Sequence, residues 1–216
     1  CMTLPLLKTY RQRSGEGSNN KDGSFVSLAR TVRGIRQNPK VLWFLLAFFF
    51  YIDGVYTIID PATSYGKDMG ISDTSLMLAL LLTQVVAFPC SILFGKLTKK
   101  IESGKLIAVS ILGYLCIVIF ALQLDKTWEF WFLAVCVAVF QGGIQALSRS
   151  YFTRIIPQER AAEYFGFYDI FGKGAAFMGT LMVGVASQVS GSSRTGVGLL
   201  AILFLIGFFL FRKADR

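Results

Sequence analysis

A chain of 216 residues that is 54% hydrophobic, 16% charged and positive in mean hydropathy (+0.56) is not an ordinary water-soluble domain, in which about a quarter of the residues carry charge. It has no histidine, which excludes imidazole proton relays and His-ligated metal sites. Its net charge of +9 gathers on one side of a set of apolar runs, so it requires no nucleic-acid partner.

In chain order, residues 1–7 (CMTLPLL) read as the end of a preceding transmembrane helix. Residues 8–40 form a cytoplasmic connector. Its Gly/Ser/Asn-rich part, 14–24, has nothing apolar to pack. Over 24–38, Phe25, Leu28, Ala29, Val32 and Ile35 recur at helical spacing with Arg30, Arg33 and Arg36 between them. That pattern predicts a basic amphipathic helix, lying either on the bilayer surface or against other cytoplasmic loops. Six apolar runs follow, at about 41–60, 75–94, 106–124, 129–148, 164–189 and 196–211, long enough to cross a bilayer as helices. Residues 213–216 remain as a tail.

All but four of the 22 Lys and Arg fall before the first run, after the second, after the fourth or after the sixth. The exceptions are Lys67, Lys126, Arg194 and the intraspan Lys173. This alternation is the positive-inside pattern and puts both termini in the cytoplasm. Cys90, Cys116 and Cys136 lie inside spans and Cys1 stands alone, so neither a disulfide nor a zinc site is expected.

The third and sixth spans are almost wholly apolar, whereas the other four carry polar side chains. Two units ordered polar, polar, apolar suggest three-span repeats of inverted topology, with the apolar third member facing lipid and the other four spans lining a cavity. In the first span Asp53, Tyr56, Thr57 and Asp60 share one helical face. At about 1.5 Å per residue, Asp53 lies near or slightly beyond mid-bilayer. A carboxylate there costs about 2.5–3.5 kcal/mol to insert, so it is expected to face a cavity or a partner. Asp60, before Pro61, reads as a solvated helix end. Gln84 stands in the second span, five residues before a kink expected at Pro89. Gln141, Gln145 and Ser148 make one face of the fourth span, beside Gly142 and Gly143. They contact solute or bond helix to helix; the spacing is compatible with both.

The fifth span holds Asp169 and Lys173 one turn apart, amid Gly172, Gly174, Ala175, Ala176 and Gly179. The order is favourable for an intrahelical ion pair, which would let two charges sit in the membrane as a static device. The small residues around it favour a moving, closely packed interface, with Lys173 as a site or gating residue and Asp169 as its partner. There is no P-loop, no H-E-x-x-H and no G-x-S-x-G, so neither an enzyme nor an ATP-driven pump is expected, and no cofactor.

FFFYIDGVYTII (48–59), LTQVVAFPCSILFGKL (82–97) and QALSRSYFTRIIPQERAAEYFGFYDIFGKG (145–174) resemble the major facilitator superfamily, and within it the vacuolar-effluxer-like branch, which includes fungal vacuolar amino-acid effluxers. The resemblance implies an all-α integral membrane protein with six transmembrane helices, the C-terminal half of a twelve-helix transporter whose N-terminal six-helix half is missing. It also implies that the first, second, fourth and fifth spans line the central cavity. One departure is clear: after the second span, Lys99 stands where the superfamily loop has an acid, and Glu102 where it has its second glycine. The charge relay that this acid supports is therefore not expected here.

The expectation is a secondary active transporter of small solutes, amino acids among them, coupled to a proton or cation, in a bacterial-type inner or plasma membrane. Its pathway residues would be Asp53, Tyr56, Thr57, Gln84, Gln141, Gln145, Asp169 and Lys173. Asp53 and Lys173 would receive the ammonium and carboxylate of a solute, or one of them the coupling proton. The alternative is a six-span membrane scaffold or sensor without transport activity.

Overall fold

The computed structural model describes residues 24–68, 70–123, 126–191 and 193–215; the expectations for residues 1–7, for 8–23 and for the Asp60 side chain lie outside what it describes. Among the described residues the fold is all-α. Helix α1 is Ser24–Gln37. Helix α2, Pro39–Thr57, begins with Asn38 as N-cap, accepting from the Val41 amide at 3.5 Å, and with Pro39 in the first turn, where its missing N–H is not needed. It breaks at Ile58, and α3 resumes at Ile59–Asp68. Pro61 cannot donate to the Thr57 carbonyl, so the ladder loses a bond at this point.

Helix α4 is Asp73–Leu97, capped by Ser72 and unbroken through Pro89. Helices α5 (Ser103–Ala121) and α6 (Thr127–Ile155) follow. A 3-10 turn at Gln158–Arg160 leads into α7 (Ala161–Ser190), which Gly191 ends in the left-handed conformation, and α8 is Ser193–Asp215. Six segments are long and apolar enough to cross a membrane: α2 with the start of α3, then α4, α5, α6, α7 with its 3-10 lead-in, and α8.

The packing carries an internal symmetry. Exchanging the first three spans for the last three turns the α2–α8 contact into α6–α5, and α4–α6 into α7–α2; all four pairings are present. The α2–α6 and α5–α8 contacts map onto themselves. Only α7–α8 has no well-packed counterpart among the described residues. This is the architecture of an inverted three-plus-three repeat, one half of a major facilitator fold.

Helix α2 lies at the centre. Phe44, Phe48 and Tyr51 are buried, with Phe44 stacked on Tyr151 and Phe152, and Phe48 on Tyr168 at 4.1 Å. The Tyr51 hydroxyl and Ser148 Oγ are 2.7 Å apart, and Ser148 Oγ also donates to the Ile144 carbonyl, so both of these hydroxyls are bonded, whereas the buried Tyr114 hydroxyl has no partner among the described residues. Within this six-helix unit the least buried spans are the second member of each triplet, α4 and α7, while α5 is one of the more buried helices yet still exposes Val109, Leu112 and Ile119. An all-apolar surface serves equally against lipid or against protein, and α5 uses it to pack on both α6 and α8.

At the end where α1 lies, α1 buries Thr31 and Ile35 while Arg30, Val32, Arg33 and Arg36 stay exposed. Thr31 Oγ1 donates to Glu163 Oε2 at the start of α7, and Arg160 Nη2 reaches both Glu163 Oε2 (2.6 Å) and Thr31 Oγ1 (2.9 Å). Thr31 and Ile35 thus pack on protein, while Val32 stays exposed and the side chains of Phe25, Leu28 and Ala29 lie outside what is described. Nearby, Tyr151 donates to Asp215 Oδ1 at 2.9 Å, and Lys213 Nζ stands 3.8 Å above the Trp43 ring.

Candidate functional site

Between α2, α4, α6 and α7 lies a cleft of about 620 Å³. Helix α2 supplies Ile52 and Tyr56; α4 supplies Gln84, Ala87, Phe88 and Ser91; α6 supplies Gly142, Gln145, Ala146 and Arg149; α7 supplies Tyr168. The closeness of α4 and α6 on one side depends on Gly142, where a Cβ would stand 2.8 Å from the Ala87 carbonyl oxygen. The lining offers two phenols, two carboxamides, a hydroxyl and one guanidinium, set among apolar groups. Such a surface binds a small polar solute by hydrogen bonds and one charge.

Arg149 is held from α7. Its Nη2 lies 3.2 Å from Asp169 Oδ1, and its guanidinium carbon lies 5.8 Å from the Tyr168 ring centroid. Both side chains of the pair remain more than half exposed, at 63% and 54%, so solvent screens their attraction.

The sequence-predicted residues do not all meet in the cleft. Tyr56, Gln84 and Gln145 line the cleft. Asp169 reaches it through Arg149, so the intrahelical pairing expected with Lys173 gives way to an interhelical one. An arginine on the facing helix, with its planar fork of donors, competes with a lysine one turn away on the same helix. Lys173 is exposed on α7.

Asp53 and Thr57 form a separate buried unit at the α2–α7 contact. Both are about 1% exposed, and Thr57 Oγ1 donates to Asp53 Oδ1 at 3.1 Å. Gly179 of α7 lies against them: a Cβ there would overlap Asp53 Oδ1 and Thr57 Oγ1. Gln141 stands half-buried one turn before Gln145, its Oε1 without a hydrogen-bond partner among the described residues.

The sequence reading missed Arg149, Ser91 and Tyr168 as lining residues. For Arg149 a signal was available. It continues the Gln141, Gln145 spacing by a further four residues, onto the same helical face, but its charge had placed it with the loop cations. Helix α6 in fact runs six residues past it, to Ile155.

The family described as "Vacuole effluxer Atg22 like" matches residues 1–216. The chain is 47% identical over 207 residues to a Bacillus subtilis protein named as the uncharacterized MFS-type transporter YxiO, covering 95% of this chain and 48% of that one. It is 27% identical over 220 residues to Autophagy-related protein 22-1 of Aspergillus niger (91% and 35% covered). To Autophagy-related protein 22 of Coccidioides immitis it is 28% identical over 200 residues (85% and 33%). The chain thus spans about half the length of the bacterial relative and about a third of each fungal one.

Proposed function

This chain belongs to the vacuole effluxer Atg22-like family, and we propose that it works as one six-helix half of a secondary active transporter that moves small polar solutes by alternating access. The observation that carries the reading is the cleft: the four helices that enclose it are those bearing the polar side chains, and its lining is polar yet free of any nucleophile–base arrangement. Amino acids are the solute class favoured by the family resemblance, and a proton or cation supplies the coupling. Tyr56, Gln84 and Gln145 would bond the solute. Asp53, buried with Thr57 as its hydrogen-bond donor, would carry the coupling proton or cation. Asp169 and Lys173 would act where α7 moves.

The exposed apolar faces of α4 and α7 fit a six-helix partner half, and the remaining outer surface fits lipid. The cation distribution orients both termini to the cytoplasm of a bacterial-type plasma membrane, with the connector and α1 on that face. Alternation is tested by Gln145→Cys in the complete protein, in a background with the native cysteines replaced. A membrane-impermeant maleimide should label it from the cytoplasmic side in one population and from the outer side in another, with solute shifting the ratio. Labelling from one side alone under every condition refutes alternating access.

A further inference from the structure

We propose that Arg149 is the carboxylate-binding residue of the cleft, and that Asp169 holds its guanidinium only while no solute carboxylate is present. The inference rests on the transport reading and narrows it to solutes that bear a carboxylate.

Among the described residues that line the cleft, Arg149 is the one that carries a charge; the polar groups around it, Tyr56, Gln84, Ser91 and Gln145, are neutral. A cleft so lined favours an anionic group at the Arg149 end and neutral or hydrogen-bonding groups elsewhere. Arg149 precedes the end of α6 by six residues, about 9 Å along the helix, so it stands on the helix, at the cleft, and not in the loop. The Tyr168 ring, 5.8 Å from the guanidinium carbon, is within cation–π reach and helps to hold it at the cleft.

The present partner is easily replaced. Asp169 engages one nitrogen, Nη2, at 3.2 Å, whereas a guanidinium offers five N–H donors in a fork that fits a carboxylate through two parallel bonds. A pair so exposed contributes little, so a bidentate solute carboxylate displaces it at small cost. The released Asp169 is not stranded. Lys173 stands one turn further along α7, in the order that favours an i,i+4 pair, and has no ion-pair partner among the described residues. Solute binding thus shifts Asp169 from a bond between helices to a bond within one, and frees α7 from α6. The roles expected of Lys173 divide: Arg149 receives the carboxylate, and Lys173 receives Asp169.

The test uses the complete purified protein in detergent, with thermal stability and equilibrium binding as readouts. Two probes are compared: a pool of small carboxylates (amino acids with short hydroxy and keto acids) and the matched pool of their primary amides. Wild type should be stabilised by the carboxylates and not by the amides. Arg149→Gln should lose that response, and Arg149→Lys, which keeps the charge but not the fork, should retain it with affinity lower by about tenfold or more. Asp169→Asn should bind the carboxylates as well as wild type or up to about fivefold more tightly, since it removes a competitor. The opposite signs at the two positions are the decisive feature, because a merely structural bridge would weaken equally from either end.

Equal response to both pools, no response of wild type to either, an unchanged Arg149→Gln response, or an Asp169→Asn loss matching that of Arg149→Gln would each overturn the proposal. Should Arg149→Gln fail to fold, Arg149→Lys with wild-type affinity overturns it. Absence of any solute flux in liposomes, with the carboxylate response intact, counts against the transport reading alone.

Discussion

The Asp53 carboxylate of α2 lies so close to Gly179 of α7 that no side chain fits between the two helices at this level. The relationship joins a buried, hydrogen-bonded acid to the helix with one of the least buried spans in the bundle. Gly179→Ala should therefore force α2 and α7 apart or push Asp53 off Thr57, at about 1–3 kcal/mol by analogy with other overpacked sites. Thermal melting of the complete protein in detergent measures this. Adding Asp53→Ala to Gly179→Ala should recover part of the loss, since the clash is with that carboxylate.

Asp53→Asn keeps the shape of the side chain and an oxygen that can accept from Thr57, but it removes the titratable charge. Membrane insertion and melting temperature should stay near wild type, while uptake driven by an ion gradient is lost and solute exchange at equal concentrations persists. Comparing gradient-driven uptake with counterflow in the same proteoliposomes checks this. A mutant that still concentrates solute removes Asp53 from the coupling step.

The Tyr51–Ser148 bond lies in the fully buried core, and its two ends are not equivalent. In Tyr51→Phe, Ser148 Oγ keeps its bond to the Ile144 carbonyl, so the loss should be about 0.5–1.5 kcal/mol. Ser148→Ala leaves a buried tyrosine hydroxyl unbonded and should cost about 1–3 kcal/mol. The order of the two melting temperatures, Tyr51→Phe above Ser148→Ala, is the test.

Helix α1 is tied down by Thr31, Arg160 and Glu163, and it carries Arg30, Arg33 and Arg36 on its exposed side. Glu163→Ala removes the acceptor on which Thr31 and Arg160 converge. Limited trypsin digestion should then cut within Ser24–Gln37 several-fold faster than in wild type, without faster cleavage elsewhere, because local opening and not global unfolding exposes the helix. An unchanged cleavage rate means that the Arg160–Thr31 bond and the buried Ile35 hold α1 in place without Glu163.

Much of the bundle was legible in the sequence because a bilayer demands long apolar helices, and the runs around Phe44–Phe48 or Ile107–Ile111 admit no other reading. The site was legible only in part. Tyr56, Gln84 and Gln145 stand out as polar residues in apolar runs, and they do line the cleft. Arg149 was hidden because a cation near a run's end resembles a loop residue, and nothing in the run's hydropathy signals that α6 continues to Ile155. Asp169 was assigned to Lys173 because spacing along one helix is visible in sequence, whereas the approach of Arg149 from another helix is set by tertiary packing. How far α5 packs on its own neighbours was not legible for a related reason: apolar side chains are equally suited to lipid and to α6 and α8.

The most direct measurement of the transport reading is uptake of a labelled small-carboxylate pool by the complete protein in sealed liposomes, under an imposed proton or sodium gradient. Accumulation above the outside concentration, collapsing when an ionophore dissipates the gradient and lost in Asp53→Asn, is the expected result. Uptake that never exceeds equilibration, or that is indifferent to every imposed gradient, would contradict a secondary active transporter built around this cleft.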